Sequence, residues 1–237
     1  MNAMVLAAGR GTRLGPIGER VPKVLLEIDG EPLLARHLRY LEQQRFSRVV
    51  INTYHLADQV EAFVREHSTS LEVVCVREQR LLGTAGAVLN ALSHLLPAPF
   101  AVFYGDIIVG ESLRPLAEAH KATGAVATLA VHEASSAEGK GVVEVDETGR
   151  VLRFVEKRYE GRGPVLINSG IYLVEEDLIA PLPPGVPLDF GHDVLPDAVR
   201  RGAPVFVHRL AEAVVDIGTP GALAAVRAGS RGTEVRA

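Results

Sequence analysis

Short apolar runs and segments of helical periodicity alternate along the first half of the chain. The apolar runs are typical of strands buried on both faces, and segments with an apolar residue at every third or fourth position are typical of amphipathic helices. The pattern predicts strands at residues 4–7, 49–53, 71–76, 100–104 and 126–132, and helices at residues 32–43, 56–66, 84–95 and 112–123. Strands separated by helices of this length indicate right-handed βαβ units and a mostly parallel sheet.

The pattern becomes richer in strands after about residue 133. Two runs flank the turn signal Glu147-Thr148-Gly149-Arg150, which predicts a β-hairpin. The remaining prediction comprises strands at residues 141–146, 151–157, 165–174, 205–210 and 213–217, a proline-rich interruption at 181–187, and helices at 193–201 and 220–228. The predicted fold class is therefore α/β, a Rossmann-like, mostly parallel mixed sheet with helices on both faces and a small β-rich substrate lobe.

Composition narrows the class of protein. Of the 237 residues, 47% are hydrophobic, which is enough for a sizeable core, and the formal net charge is −4. That mild charge, with no run of Lys and Arg longer than two, argues against a nucleic-acid or membrane-surface partner. No apolar stretch approaches the roughly 20 residues that span a bilayer, and the N-terminus lacks a signal-peptide pattern. A cytoplasmic location is therefore expected.

A glycine-rich loop, Ala8-Gly9-Arg10-Gly11-Thr12-Arg13, follows the first predicted strand. Glycines allow the backbone to approach an anion closely, and successive N–H groups can then surround phosphate oxygens. No Gly-Lys-Ser/Thr follows, so the loop is not a Walker loop, and Leu14 stands where a dinucleotide fingerprint has its third glycine. The missing glycine excludes an NAD-dependent oxidoreductase. A plain glycine turn after a buried strand is the alternative.

Lys23 precedes the apolar run Val24-Leu25-Leu26, at the mouth of a segment predicted to be buried. From there its ammonium group can reach back over the loop and share phosphate charge with the planar guanidinium of Arg13. The alternative is a solvated lysine at the start of a strand. Three histidines in helical patterns, His37, His67 and His120, are predicted to lie at the surface or at its boundary.

These motifs together resemble those of one family, the sugar-1-phosphate nucleotidylyltransferases. The loop and Lys23 are followed, in the family's order, by Leu82-Gly83-Thr84-Ala85-Gly86-Ala87, Gly105-Asp106, Gly141-Val142-Val143, Glu156-Lys157, Asn168-Ser169-Gly170-Ile171-Tyr172 and Asp216-Ile217-Gly218-Thr219-Pro220. Each motif is weak alone, but the ordered set spans residues 6–220. The segment beginning at Leu82 most resembles the mannose-1-phosphate and heptose-1-phosphate guanylyltransferases.

The resemblance implies an enzyme that transfers a nucleotidyl group from a nucleoside triphosphate to a sugar 1-phosphate, releasing pyrophosphate. GTP with a mannose- or heptose-type 1-phosphate is the expected pair. Arg13, Lys23 and Asp106 are the implied catalytic residues. The implied nucleotide-binding residues are Leu6, Ala7, Ala8, Gly9, Gly11, Thr12, Arg13, Lys23, Gly83 and Thr84, and the implied substrate-binding residues are Gly141, Glu156, Lys157 and Asn168.

Asp106 lies just beyond the strand predicted at residues 100–104, at the edge of an α/β sheet where ligands bind. A carboxylate there, without a local basic partner, suits a hard cation such as Mg²⁺. The resemblance implies that Asp106 and Asp216 share one Mg²⁺ between the α-phosphate and the sugar phosphate. The alternatives are a turn residue for Asp106 and a helix N-cap for Asp216, although Thr219 before Pro220 fits the cap better.

One nucleotidyltransferase domain is expected at residues 1–229, with a nucleotide-binding half at 1–132, a sugar-phosphate half at 133–229 and a flexible tail at 230–237. Uridylyl, thymidylyl and cytidylyl transfer stay open as alternatives within the family. A non-catalytic regulatory subunit that binds nucleotide sugars is the alternative from another class. Contributions from Arg158 or His192 to the sugar-phosphate site, and association into a homo-oligomer, also stay open.

Overall fold

The computed structural model describes residues 1–137, 141–155 and 163–231 of the chain. Every strand that the pattern predicts is present in these ranges, and β2, β3 and β7 of the following set are additional. The strands are β1 (Asn2–Leu6), β2 (Glu27–Ile28), β3 (Glu31–Pro32), β4 (Arg48–Thr53), β5 (Glu72–Arg77), β6 (Phe100–Tyr104), β7 (Ile107–Ile108), β8 (Ala127–Ala134), β9 (Val142–Val145), β10 (Val151–Val155), β11 (Val165–Val174), β12 (Val205–Arg209) and β13 (Val215–Asp216).

Nine of the strands in the described ranges form one sheet, in the order β10-β9-β11-β6-β1-β4-β5, with β8 along the other edge of β11 and β12 beside β8. Strands β6, β1, β4 and β5 are parallel, as βαβ units require, whereas β11 is antiparallel to β6, β8 and β9. The predicted α/β class is confirmed. Because the four parallel strands point the same way, the residues that follow them meet at one edge of the sheet.

Helices cover both faces of this sheet, as predicted. They are α1 (Pro16–Arg20), α2 (Leu33–Gln43), α3 (Ala57–Glu66), α4 (Gly83–Asn90), α5 (Leu92–Leu95), α6 (Arg114–Thr123), α7 (Glu176–Ile179), α8 (Leu195–Arg200) and α9 (Pro220–Arg231). Adjacent residues of β1 face opposite cores: Met4 packs with residues of α4, α5 and α8, and Val5 packs with residues of α2, α3 and α6. In the part of the chain that the structure describes, no helix is long and apolar enough to cross a membrane.

Most element boundaries lie within two residues of the prediction, and three helices show the largest differences. The helix predicted at residues 84–95 is divided into α4 and α5, because the backbone at Ala91 leaves helical geometry with ψ near 2°. The helix predicted at residues 193–201 begins earlier, as a π-helical turn at Phe190–Val194, where the Asp189 carboxylate accepts the first N–H groups. Helix α9 continues to Arg231, and the remainder of the predicted tail lies outside the described residues.

The prediction of a surface position is wrong for His120, whose residue is only 3% exposed. Its ring lies one helical turn from buried Leu116 and therefore shares the face of α6 that packs on the sheet. The Nδ1 atom lies 2.8 Å from the Thr128 hydroxyl, and Nε2 lies 3.3 Å from a Glu175 carboxylate oxygen. His67, in contrast, stacks on Phe63 at the boundary, as predicted.

Strand β11 contains a bulge that separates the two halves of the sheet. Its register against β8 shifts between Asn168 and Tyr172. On the opposite edge, residues 171–174 pair with β6 and residues 166–167 pair with β9. The bulge therefore places Asn168 at the fork between the parallel sheet and the β9–β10 hairpin.

Candidate active site

One cavity of about 350 Å³ opens at the edge where the parallel strands end. All ten residues predicted to bind nucleotide line it, and so does Asp106. We call the part lined by Arg13, Lys23, Asp106 and Gly218 the loop end, and the part lined by Asn52, Glu78, Leu81, Gly83 and Thr84 the helix end. The lining residues are Leu6, Ala7, Ala8, Gly9, Gly11, Thr12, Arg13, Lys23, Val24, Asn52, Glu78, Leu81, Gly83, Thr84, Tyr104, Gly105, Asp106 and Gly218.

Asp106 reaches the loop end because the chain at Gly105 passes directly against β1. The Gly105 N–H donates to the carbonyl of Leu6 at 3.0 Å. A Cβ atom at position 105 would lie 2.4 Å from that carbonyl oxygen, so only glycine allows this approach. The carboxylate of Asp106 is thereby held beside the glycine-rich loop that follows β1.

Lys23 forms an ion pair with Asp106, and both side chains are largely shielded from water. The backbone at Lys23 is a single 3₁₀ turn, Lys23–Leu25, anchored by buried Val24. The alternative of a solvated lysine at the start of a strand is therefore wrong. The pair places the Lys23 ammonium beside a carboxylate that could hold a divalent cation, and the ammonium itself could contact a phosphate.

Asp216 is brought to the same place by the short antiparallel pair of β7 and β13. In this pair Asp216 faces Ile107, and the N–H of Ile217 donates to the carbonyl of Asp106 at 3.0 Å. The Asp216 carboxylate also accepts the N–H of Gly218 at 2.5 Å. Thr219, not Asp216, caps helix α9, since its hydroxyl accepts a first-turn N–H at 3.2 Å.

Gly218 marks the point where four charged side chains converge. A Cβ atom there would lie 2.6 Å from Asp216 Oδ1, 2.9 Å from Lys23 Nζ and 3.1 Å from Arg13 Nη2. Lys23 in turn contacts Asp106. Two cations and two carboxylates predicted from distant parts of the sequence thus share one end of the cavity.

The two carboxylates at the loop end are compatible with Mg²⁺. Within the described ranges, no cluster of three or more His, Cys, Asp or Glu side chains could hold a metal ion by itself. Mg²⁺ commonly uses one or two protein carboxylates and takes its other ligands from substrate phosphates and water. Asp106 and Asp216, next to loop N–H groups suited to phosphate, supply such a donor set.

The helix end contains two residues that the sequence analysis missed, Asn52 and Glu78. The side chain of Asn52 is buried. Its Oδ1 accepts the N–H of Ala7 at 2.8 Å, and its Nδ2 donates to Glu78 Oε1 at 2.7 Å. Glu78 Oε2 accepts the N–H of Leu82 at 2.9 Å. Both are polar residues at the carboxyl ends of apolar parallel strands, the same signal that pointed to Asp106.

Gly83 and Thr84 begin helix α4 under a segment of chain that contains Leu188. The Leu188 carbonyl accepts two N–H groups of the first turn of α4, and a Cβ at position 83 would lie 2.3 Å from it. Gly83 also has a φ of 73°, which favours glycine. The Thr84 hydroxyl does not cap its own helix: it accepts the N–H of Phe190 at 2.8 Å and donates to Asp189 at 2.9 Å.

The predicted sugar-side residues are only partly described. Gly141 and Asn168 are in direct contact, because the Gly141 carbonyl accepts the Asn168 N–H at 2.9 Å. Glu156, Lys157 and Arg158 lie outside the described residues. His192 is exposed, with Nδ1 2.8 Å from the carboxylate of the adjacent Asp193.

His37, predicted at the surface, is instead buried beneath the loop end, with 3% exposure. It lies on the face of α2 that also buries Leu34 and Leu38. Burial lowers the pKa of the ring to about 4, despite the opposing effects of the Gly105 carbonyl and the Asp106 charge. His37 is therefore neutral near pH 7, and its Nε2 has no hydrogen-bond partner among the described residues.

The chain matches the family model described as nucleotidyl transferase over residues 2–231, and it belongs to that family. It is 30% identical to the UTP–glucose-1-phosphate uridylyltransferase of Synechocystis sp., over 92% of this chain and 60% of that protein. It is also 30% identical to the mannose-1-phosphate guanylyltransferase of Mycobacterium tuberculosis, over 93% of this chain and 62% of that protein. The chain thus spans about three fifths of the length of these relatives.

The structure has the same fold as HddC from Yersinia pseudotuberculosis, solved in complex with GMP-PN. The TM-score is 0.83 at 25% sequence identity, and the match covers 97% of this chain and 99% of that one. The family membership confirms the resemblance inferred from the motifs. Since the relatives include both guanylyl- and uridylyltransferases, the choice of base has to be argued from the cavity itself.

Proposed function

We propose that the chain transfers a guanylyl group from GTP to a mannose- or heptose-type sugar 1-phosphate. The observation that carries the reaction class is the convergence of Arg13, Lys23, Asp106 and Asp216 at the loop end of one cavity. Positive side chains and loop N–H groups suit a triphosphate, and paired carboxylates suit the cation that accompanies it.

The proposed reaction is an in-line displacement at the α-phosphorus. An oxygen of the sugar phosphate forms a bond to this phosphorus, and the bond to the oxygen bridging towards the β-phosphorus breaks with release of pyrophosphate. A phosphate monoester is already ionised near neutral pH, so the reaction depends on positioning and charge neutralisation. Arg13 and the loop N–H groups hold the leaving pyrophosphate, and Lys23 neutralises charge on the α-phosphate.

Asp106 and Asp216 would hold Mg²⁺ in this reaction. When bound, the ion supplies Lewis-acid stabilisation of charge on the phosphoryl oxygens. The ion pair of Lys23 with Asp106 supports this assignment, because a positive group already lies beside that carboxylate. Lys23 also lines the cavity, where its ammonium would contact the phosphate.

Glu78 supports guanine as the base. Its carboxylate lines the helix end and is 5% exposed, and each oxygen already accepts one hydrogen bond from the protein. An ionised carboxylate has about four acceptor positions, so two stay available. Guanine presents two adjacent donors, N1–H and the N2 amino group, on one edge.

The other bases match this carboxylate less well. Uracil and thymine present one N–H between two carbonyl oxygens, which a carboxylate repels. Cytosine and adenine present an amino group beside an acceptor nitrogen. A bidentate pair with a carboxylate is therefore specific to guanine, and a buried acceptor left unpaired would penalise the competitors.

The test is a product assay with the whole chain and Mg²⁺. GTP, UTP, dTTP and CTP are each combined with mannose 1-phosphate, a heptose 1-phosphate or glucose 1-phosphate, and pyrophosphate and the nucleotide sugar are quantified. GTP with mannose or heptose 1-phosphate is expected to give the highest kcat/KM. A preference for UTP with glucose 1-phosphate would overturn the guanylyl proposal while keeping the reaction class.

Absence of pyrophosphate with every pair, from a protein that binds GTP in a thermal-shift assay, would instead favour a non-catalytic binding subunit. Such a protein would not need Arg13, Lys23 and Asp106 together, and the cavity contains all three. Ligand binding to the native state alone raises the unfolding temperature, so the thermal shift reports binding independently of turnover.

A further inference from the structure

Two tyrosine hydroxyls connect the sugar side of the site to the helix end of the cavity, and the proposed reaction assigns them no role. Tyr104, the last residue of β6, lines the cavity, and Tyr172 on β11 is almost fully buried. Their rings meet edge to face with centroids 5.8 Å apart. The Tyr172 hydroxyl donates to the Tyr104 hydroxyl at 3.3 Å.

The direction of this contact follows from the bulge in β11. The N–H of Gly170 can only donate, and it donates to Asn168 Oδ1 at 3.1 Å. The amide of Asn168 is therefore oriented with Nδ2 towards the Tyr172 hydroxyl, to which it donates at 2.6 Å. Having accepted this hydrogen bond, the Tyr172 hydroxyl passes its own hydrogen to Tyr104.

The chain of side-chain hydrogen bonds continues from Tyr104 to the N-terminus of helix α4. The Tyr104 hydroxyl is hydrogen-bonded to Thr84, and burial raises the pKa of Tyr104 well above its ordinary value, so its proton is retained. Thr84 donates onward to the Asp189 carboxylate at 2.9 Å. Since the only hydrogen of the Thr84 hydroxyl goes to Asp189, the Tyr104 hydroxyl donates to Thr84, which also accepts the N–H of Phe190. The Tyr172 and Tyr104 hydroxyls therefore each accept one hydrogen bond and donate one, an arrangement in which the bonds reinforce each other.

Packing of Tyr104 against the bulge also holds these hydrogen-bonded side chains in place. The ring of Tyr104 lies against Gly170, where an added Cβ would be 3.0 Å from the ring carbon Cγ. Gly170 has a φ of 72°, so the close contact and the backbone geometry both require glycine. The last residue of the parallel strand β6 thereby supports the backbone that carries Asn168.

We propose that Tyr104 and Tyr172 are positioning residues for the sugar 1-phosphate. Through their hydroxyls they orient the Asn168 amide, leaving its second N–H for a sugar hydroxyl, and tie that amide to Thr84 on the nucleotide side. The inference rests on the proposed function, because it takes Asn168 as a sugar contact. It predicts that loss of either hydroxyl weakens use of the sugar 1-phosphate and spares the nucleotide.

The experiment measures both KM values for Tyr172→Phe, Tyr104→Phe and the double variant, with GTP and mannose 1-phosphate. Tyr172→Phe is expected to raise the KM of mannose 1-phosphate about fivefold to tenfold and to leave the KM of GTP within about twofold, as loss of one orienting hydrogen bond predicts. Both substitutions interrupt the same chain of hydrogen bonds. The KM of mannose 1-phosphate in the double variant is therefore expected to equal that of Tyr172→Phe, and not to rise by the product of the two single effects.

Tyr40→Phe is the matched control. It also removes a hydrogen-bonded tyrosine hydroxyl, which donates to the backbone carbonyl of Glu111 away from the cavity. It is expected to change neither KM. An unchanged KM of mannose 1-phosphate in Tyr172→Phe, or equal increases in both KM values, would overturn the inference. If the wild-type chain turns over none of the substrate pairs, the proposed function fails before the variants are compared, so the two failures are distinguishable.

Discussion

The loop end and the helix end of the cavity present different kinds of groups to a ligand. The loop end presents the exposed side chains of Arg13 and Asp216 beside the partly buried ion pair of Lys23 with Asp106. The helix end presents one carboxylate, Glu78, that is buried and already bonded to Asn52 and to a backbone N–H. Charges near water attract phosphate without discriminating among nucleotides, whereas a buried acceptor discriminates because leaving it unpaired is costly.

This comparison predicts that substitutions at the two ends should have different kinetic consequences. Removing a charge from the loop end should slow the reaction with every nucleotide. Removing the carboxylate from the helix end should change which nucleotide is preferred. Three of the following four predictions test that division, and one concerns the stability of the structure beneath the loop end. They are given from the largest expected effect to the smallest.

Asp106→Asn is expected to reduce kcat on the order of 10³-fold with all nucleotides, because it removes the carboxylate at the point where charge on the phosphates is neutralised. Steady-state rates of pyrophosphate release measure the effect. Asp197→Asn is the control, since Asp197 forms ion pairs with Arg200 and Arg201 on the surface of α8. Near-normal turnover by Asp106→Asn would remove Asp106 from the mechanism.

His37 is expected to make the structure beneath the loop end sensitive to acid. Its pKa is lowered from 6.5 to about 4 by burial, so the unfolded chain binds the proton more readily than the folded chain between these values. The contribution of His37 to the free energy of unfolding is fully present above pH 6.5 and is lost as the pH falls to 4. For this one group the loss is on the order of 3 kcal/mol. His37→Leu should flatten the decline measured by urea unfolding.

His94→Leu makes the same substitution at an exposed histidine and should leave the decline unchanged. A decline of equal steepness in the wild type and in His37→Leu would show that other groups cause the acid sensitivity.

Glu78→Gln is expected to lower the preference for GTP over UTP about 10- to 100-fold, the discrimination that one bidentate pair with a base provides. The substitution also places an amide N–H against the Asn52 amide or the Leu82 N–H, which disturbs the loop. Such damage lowers both rates together, so the ratio of the two kcat/KM values is the informative measurement. A ratio equal to that of the wild type would exclude Glu78 as the base reader.

The smallest expected effect is on the pH dependence of that ratio. Burial raises the pKa of Glu78, with opposing effects from Asn52 and Leu82. Protonation removes an acceptor, so the preference for GTP should fall severalfold as the pH is lowered into the acidic range, and the fall should begin at a higher pH than for an exposed glutamate. The kcat, which is expected to depend on the charges of the loop end, should not follow the same pH curve as this ratio. A constant ratio over this range would contradict the assignment.

The sequence predicted the loop end more completely than the helix end, for a physical reason. Glycines, Arg13 and Lys23 lie next to each other along the chain, and Asp106 directly follows a strand whose apolar pattern is strong. Local order therefore contains most of the information about this end. In the sequence, Asn52 and Glu78 each look like ordinary polar residues at the end of a strand. Only the structure shows that they are hydrogen-bonded to each other at the cavity.

His37 shows the converse case, in which a local rule gives the wrong answer. A histidine in an amphipathic helix usually lies at the surface, but His37 shares the buried face of α2 with Leu34 and Leu38. What decides its burial is the closeness of α2 to the turn at Gly105, a contact between residues 68 positions apart, as 105 − 37 gives. Periodicity along one helix does not contain that contact.

By itself the sequence determined the α/β class, the order of the strands along the chain and the motifs that identify the family, because these depend on neighbouring residues and on period. Only the tertiary structure decided that Asp216 meets Asp106 through the pairing of β7 with β13, and that Asn168 is joined to Thr84 through two tyrosines. Such contacts join residues that are far apart in sequence. They depend on the order of the strands within the sheet and on their register, which no local pattern specifies.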